Sequence, residues 1–306
     1  MKAMTYDEYG DTSVLQLADR PVPKVGPDEV LVRVRSAGVN PVDWKIMAGY
    51  LDGLLHTWFP VIPGWDVAGV VEEVGLDTPE VAAGDEVIAY ARRDMVYDGT
   101  FAEFACVPVR ALARKPAVLG WEQAAALPLA GLTAYQCLTR LGLQPGEILL
   151  IHNGAGGVGS LGVQIACALG ARVIATASEG NHDWLRELGA QPVAYGDGLA
   201  ERVQALAPDG VDVVADFIGG VLDTTRAVLK AGGRHVSIAD VDVRDAGGVH
   251  LWVRPSGSDL QALADMVEAG QLTVPVAQTF SLEQTAEAFE LSQGRHVRGK
   301  IAIRVS

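Results

Sequence analysis

The stretch EILLIHNGAGGVGSLGVQIACAL, residues 147–169, decides the fold of this chain. Ile148–His152 is an apolar run of strand length, and residues 160–169 read as an apolar helix. Between them Gly154, Ala155, Gly156, Gly157, Val158 and Gly159 spell a complete G-x-G-x-x-G. The first glycine of such a turn permits the tight bend, the second lets backbone approach a pyrophosphate, and the third lets the helix pack on the strand. The helix N-terminus then offers N–H donors and a partial positive charge to the phosphates. A bare G-x-G-x-x-G is weak, and the competing reading is a glycine-rich turn in an unrelated α/β domain. The strand before it and the helix after it favour dinucleotide binding.

Working outward, strand and helix patterns alternate downstream of this turn. Strands are read at 172–176, 192–195, 211–217, 234–238 and 249–253, with helices at 181–188, 199–206 and 222–229 between them. Such alternation specifies a parallel sheet with helices on both faces, so the fold class is α/β with a Rossmann, doubly wound sheet. Upstream the texture changes. Val30, Val32 and Val34 alternate with Leu31, Arg33 and Arg35, and further short strands are read at 67–74, 85–90 and 101–107 with Gly- and Pro-rich turns between them. That pattern predicts a mainly-β, barrel-like domain. The expected organisation is 1–120 for the β domain and 121–271 for the dinucleotide domain, with 272–306 returning to the first through a final strand at 300–305.

The composition excludes some functions. Acidic residues outnumber basic ones, 38 to 24, and the net charge of -14 argues against nucleic acid as a partner. No apolar run is long enough to span a bilayer, and the first residues lack a signal-peptide core, so a cytoplasmic protein without membrane association is expected. Cys106, Cys137 and Cys167 lie far apart and read as reduced core residues.

The coenzyme type is read at the end of the second strand of the dinucleotide domain. An acid there grips the ribose 2′-OH of NAD. Here Ser178 occupies that place, and a hydroxyl donates to a 2′-phosphate where a carboxylate repels it. Glu179 follows, and no Lys or Arg lies in 177–183. The balance favours NADPH, with NADH still possible. Asn181 is a second local polar group and also a natural N-cap for the next helix.

Several segments, in order, resemble the medium-chain dehydrogenase/reductase superfamily, specifically its zinc-independent quinone oxidoreductase branch. They include AGVNPVDWK (37–45), FPVIPGWDVAGVV (59–71), AALPLAGLTAY (125–135), the glycine turn, VDVVADFIGG (211–220), GGRHVSIA (232–239) and HVRGKIAIRV (296–305). The resemblance implies that the mainly-β domain is GroES-like. Zinc-dependent members of the superfamily carry a Cys, a Gly-His-Glu segment and a later Cys. The matching positions here are Asn40, Trp65-Asp66 and 129–131, none of which offers a thiolate or imidazole, so no metal is expected.

The function this implies is NADPH-dependent hydride transfer to a quinone or an α,β-unsaturated carbonyl. The alternative is an NADPH-binding sensor or scaffold without turnover, since a fold alone proves no chemistry. The resemblance places Asn40 near the nicotinamide and the substrate carbonyl, where its amide donates to a developing oxyanion. The competing reading is a turn residue before Pro41. Asp43 joins it as a candidate, with a structural role as the alternative. Tyr50 is a candidate proton donor, although Gly49-Tyr50 is one residue tighter than the family pattern. For the coenzyme the resemblance adds Thr133 near the nicotinamide end, Tyr195 near the 2′-phosphate and the backbone of Ile238 near the carboxamide. His152, His235, His250 and His296 show no metal spacing. The resemblance also implies a homodimer joined at the sheet edge 249–253.

Overall fold

The computed structural model describes residues 1–294 and 297–306, so His296 lies outside the described residues. The chain divides into two compact units. One comprises Met1–Leu132, Arg254–Ala269 and Val274–Ser306; the other comprises Thr133–Val253 and Gly270–Thr273.

The second unit is built on a parallel sheet. Its strands lie in the order Gln191–Ala194, Arg172–Ala177, Ile148–His152, Val211–Asp216, Leu229–Ser237, Val249–His250. All neighbouring pairs are parallel. The chain starts at Ile148–His152, moves outward through two strands on one side, then returns to build the other side. The order therefore reverses beside Ile148–His152, which is where open α/β sheets bind ligands, beyond the carboxyl ends of the strands. Leu150, Ile174, Val193, Val203 and Val214 pack together as part of its core. Each fully buried side chain of this size contributes about 1.5–3 kcal/mol. The outermost strand ends at His250 rather than running on to 253. Its partner strand ends at Ser237, whose carbonyl accepts Leu251 N–H, so the ladder stops there.

In the first unit the long strand Glu29–Val39 is the hub. It pairs antiparallel with Asp66–Val74, Phe104–Pro108 and the final strand Lys300–Arg304. Its inward residues Val30, Val32 and Val34 pack with Val67, Val71, Val87 and Val107. The sequence reading began the third strand at 101; it begins at Phe104. The helix Gly257–Glu268 belongs to this unit, where Gln261 Oε1 accepts Arg114 N–H at 3.1 Å.

Candidate functional site

The glycine turn lies where the order of the sheet reverses. Helix Gly157–Ala168 starts directly after it, with Gly156 at the N-cap and no side chain capping the first turn. The first-turn N–H groups of an α-helix have no intrahelical acceptor, so they are left to a ligand. Asn153 takes the left-handed conformation at φ 62, which suits its short polar side chain. The turn is pinned from the neighbouring strand: Thr176 Oγ1 accepts Asn153 N–H at 2.9 Å and Thr176 O accepts Gly154 N–H at 2.8 Å. A Cβ at Gly154 would stand 2.7 Å from Ala175 Cβ, and one at Gly159 would stand 2.1 Å from Asn153 O. Glycine at 154 and 159 therefore keeps bare backbone packed against the strand ends, an arrangement that fits a pyrophosphate at the helix start. Ala155, Gly156, Gly157 and Val158 line it from the loop and the first helical turn.

The residues expected at the 2′-phosphate are placed by strand register. Ala177 pairs with Ala194, so Ser178 and Tyr195 leave the sheet side by side. Asn181 stands at the N-cap of helix His182–Glu187, yet its side chain does not cap it. It donates to Ser178 Oγ at 3.1 Å instead. Tyr195 is exposed. The segment behind it is held by Arg202, whose guanidinium donates to the carbonyls of Ala194, Tyr195, Gly196 and Asp197 at 2.8–3.3 Å. This cation lies outside 177–183, on the helix Leu199–Leu206.

At the other end of the sheet edge, Asp216 closes the strand Val211–Asp216. Its Oδ1 accepts the N–H groups of Ile218 and Gly219 at 2.9 Å, and Ser237 donates to its Oδ2 at 2.7 Å. Ser237 Oγ in turn accepts Ala239 and Asp240 N–H. This bracket ties two strand tips together and sets the backbone at Ile238, whose N–H donates to Asp216 O. Beside it the buried His152 imidazole is pushed down to about 4 by desolvation, against the pull of Asp216, so it is neutral at pH 7. Thr133 is buried on helix Pro128–Arg140.

The first unit holds a second polar group, and it is wholly buried. Asn40, Asp43, Asp66 and Lys300 are each at most 4% exposed. Asn40 begins helix Pro41–Met47, with Pro41 suited to the first helical position. Its backbone N–H donates to Asp43 Oδ2 at 2.7 Å, and its side chain makes no cap. Instead Asn40 Nδ2 donates to Asp66 Oδ2 at 2.8 Å, while its Oδ1 accepts from Lys300 Nζ. Lys300 Nζ also donates to Val39 O at 3.0 Å, and Asp66 Oδ1 accepts Leu129 N–H at 2.8 Å. The three segments expected at zinc-ligand positions, 40, 66 and 129, do converge. They bring one carboxylate, one amide and one backbone N–H, with an ammonium beside them. A zinc site needs three or four lone-pair donors, commonly His and Cys, and these residues do not fit one. Among the described residues no group of three or more His, Cys, Asp or Glu is placed to hold a metal.

Burial dominates the electrostatics here. It raises Asp43 to about 8, opposed by the hydrogen bond from Asn40 N–H, and it raises Asp66 to about 6, opposed by Lys300. It lowers Lys300, against the pull of both carboxyls. An acid whose folded pKa is raised binds its proton more tightly when folded, so stability is lost as pH rises from the unfolded to the folded value. From Asp66 and Asp43 together, the thermal midpoint is expected to fall between about pH 4 and pH 8. Asp43→Asn removes the upper part, and its midpoint should flatten above about pH 6. An unchanged slope from pH 6 to 8 in differential scanning fluorimetry would show that Asp43 does not titrate there.

Tyr50 stands apart from this group. It is 71% exposed on the turn after the helix, edge-on to Trp44 at 6.4 Å between ring centres. Its hydroxyl has no protein partner among the described residues. Lys300, Arg202 and Asp216 are the residues that sequence reading missed. The available signals were a lysine opening the apolar run 301–303 and an acid closing the apolar run 213–215; for Arg202 the sequence held none.

Residues 26–117 match the family described as alcohol dehydrogenase GroES-like domain, and residues 188–303 match the family described as zinc-binding dehydrogenase. The chain is 36% identical, over 99% of its length and 79% of the relative's, to an NADPH-dependent alkenal/one oxidoreductase of Arabidopsis thaliana. Among solved structures, the quinone oxidoreductase from Coxiella burnetii superposes with a TM-score of 0.86 at 32% identity, covering 100% of this chain and 99% of that one. A mycobacterial protein solved in complex with NADPH gives a TM-score of 0.86 at 28% identity, covering 99% of this chain and all of the other.

Proposed function

Because the chain belongs to the medium-chain dehydrogenase/reductase superfamily, in its quinone oxidoreductase branch, we propose that it is an NADPH-dependent reductase of quinones or α,β-unsaturated carbonyls. The observation that carries this reading is the glycine turn at 154–159, packed too closely on the strand ends to admit side chains at 154 and 159 and set where the sheet order reverses. NADPH, when bound, supplies a hydride and leaves as NADP+. The glycine turn and the first turn of its helix hold the pyrophosphate. Ser178, Asn181 and Tyr195 meet the 2′-phosphate, with Arg202 fixing the segment that carries Tyr195. Thr133 and the backbone at Ile238 face the nicotinamide end, where the Asp216–Ser237 bracket keeps that backbone still.

Addition of hydride to the β-carbon of an enone shifts the π electrons to the carbonyl oxygen. Asn40, with one Nδ2–H engaged by Asp66 and one left over, donates to that oxyanion. Asp43 holds the Asn40 backbone from the helix start. The proton that completes the reduction comes from solvent or from the exposed Tyr50 hydroxyl. The reading includes a zinc-free reaction, since conjugation with the carbonyl takes up the charge that a metal would otherwise stabilise. A cytoplasmic location and a homodimer belong to the same proposal. The exposed apolar side chains of Val249 and Trp252 at the sheet edge support the dimer.

The test is a thermal-shift titration with NADPH and NADH, followed by coenzyme oxidation across a panel of 2-alkenals, enones and p-quinones. At a coenzyme concentration of 100 Kd the stabilisation should be about 2.7 kcal/mol, and larger for NADPH than for NADH at equal concentration. Absence of both a shift and turnover refutes the reading. A shift with a flat panel would favour the sensor or scaffold alternative.

A further inference from the structure

Residues 188–303 match a family described as zinc-binding, yet the place where residues 40, 66 and 129 converge, the positions that align with the zinc ligands of zinc-dependent members of the superfamily, already contains a cation supplied by the chain. We propose that Lys300 is the positioning cation of this site: its ammonium, anchored on Val39 O and Asn40 Oδ1, orients the Asn40 carboxamide and offsets the buried carboxylates in place of a metal. This rests on the reading that Asn40 meets the substrate oxygen.

The orientation follows from donor and acceptor chemistry. An ammonium has only donors, and an ionised carboxylate has only acceptors. With Lys300 on one side and Asp66 on the other, the amide has a single satisfied arrangement, Oδ1 toward Lys300 and Nδ2 toward Asp66. The second Nδ2–H is then directed by geometry rather than left to rotate. Removing Lys300 takes away the donor on Oδ1 and the charge that keeps Asp66 ionised; a protonated Asp66 can donate to Oδ1, so the amide can flip and present an acceptor where a donor is needed.

The charge argument is independent of the orientation argument. Asp43 on the helix, Asp66 on the neighbouring strand and Lys300 on the final strand are all buried, and Lys300 is the positive charge that acts on both carboxyls. Tyr90, on the strand paired with Asp66–Val74, feels both carboxyls and Tyr6 feels Asp43, and burial raises both phenols above their ordinary value. Neither supplies positive charge. Lys300 sits at the first position of a strand whose following residues, Ile301, Ala302 and Ile303, are all buried. That strand pairs with Glu29–Val39 in the register Ile301↔Val39, which places the lysine beside the residue that begins the helix. The final strand therefore delivers the ammonium to Asn40 as a direct consequence of its pairing.

The experiment compares Lys300→Met, Lys300→Arg and the charge-balanced pair Asp66→Asn/Lys300→Met in the full chain. Lys300→Met should lower kcat by roughly tenfold to a hundredfold, with KM for NADPH within about twofold of wild type. Its thermal midpoint should fall more steeply with rising pH than that of the wild type, because an uncompensated Asp66 binds its proton more tightly when folded. Lys300→Arg should recover part of kcat. The balanced pair should regain the midpoint without regaining kcat, an outcome that a purely structural role would not produce. It also keeps the test decisive if Lys300→Met does not fold. The Asn40 side-chain amide protons, assigned by their loss in Asn40→Asp, should exchange with solvent faster in the balanced pair than in wild type. If the wild type reduces no enone or quinone, the function reading fails, and amide exchange alone then decides the role of Lys300. A kcat unchanged in Lys300→Met, a kcat that recovers with stability in the balanced pair, or unchanged amide exchange overturns it.

Discussion

Replacing Gly159 by alanine is expected to abolish saturable NADPH binding and to destabilise the protein by about 1–3 kcal/mol. The added Cβ would lie 2.1 Å from Asn153 O and 2.8 Å from Gly154 Cα. Both are backbone atoms, so no rotamer change relieves the clash. Either the helix start lifts off the strand end or the turn opens, and each displaces the N–H groups meant for the pyrophosphate. Asn153 cannot yield easily, because it already holds a left-handed conformation and its N–H is bound to Thr176 Oγ1. Gly180 is the control in the same unit. An added Cβ there meets nothing within 4 Å, so Gly180→Ala should change stability by less than about 0.5 kcal/mol. Urea unfolding and fluorescence titration with NADPH measure the two effects. Wild-type affinity in Gly159→Ala would show that the turn is not the coenzyme site.

The second large effect is expected at Asp66. Asp66→Ala removes the acceptor for Asn40 Nδ2 and for Leu129 N–H, and it strips a compensating carboxylate from the buried Lys300. Breaking a buried charged arrangement from one side costs about 3–5 kcal/mol, mainly because the remaining charge and donors are left unsatisfied. The pH dependence supplies the diagnostic. Burial lowers Lys300, and without Asp66 that lowering deepens. A base whose folded pKa is lowered binds its proton less tightly when folded, so stability is regained as pH rises above the folded value. The deficit of Asp66→Ala should therefore shrink toward alkaline pH, whereas the deficit of Lys300→Met grows. Asp66→Asn keeps one oxygen acceptor and should lose less. Thermal midpoints from pH 6 to pH 10 test this, and a deficit that is constant with pH would show that Lys300 does not feel Asp66.

Periodicity and glycine chemistry are local properties, and what depends on them was legible in the chain itself. The alternation Val30, Val32, Val34 marks the hub strand. The run 148–152 followed by G-x-G-x-x-G marks the first strand of the parallel sheet and the start of its helix. These assignments rest on steric and burial rules that act within a few residues. The Asn40 group was legible only in part. Asn40 and Asp43 are neighbours in a helix start, and the resemblance aligned Asp66 and residue 129 with them. Lys300 was invisible there, because its partner lies 260 residues away and only the pairing of the final strand with Glu29–Val39 brings them together. Arg202 escaped notice for a similar reason: its contacts with 194–197 arise when a helix turns back over the strand that precedes it. The sequence by itself determined the hub strand, the order of strands and helices around the glycine turn, and the turn itself. Tertiary structure alone decided which charges share a dry interior, since a buried ion is tolerable only beside a partner that the folded chain carries to it.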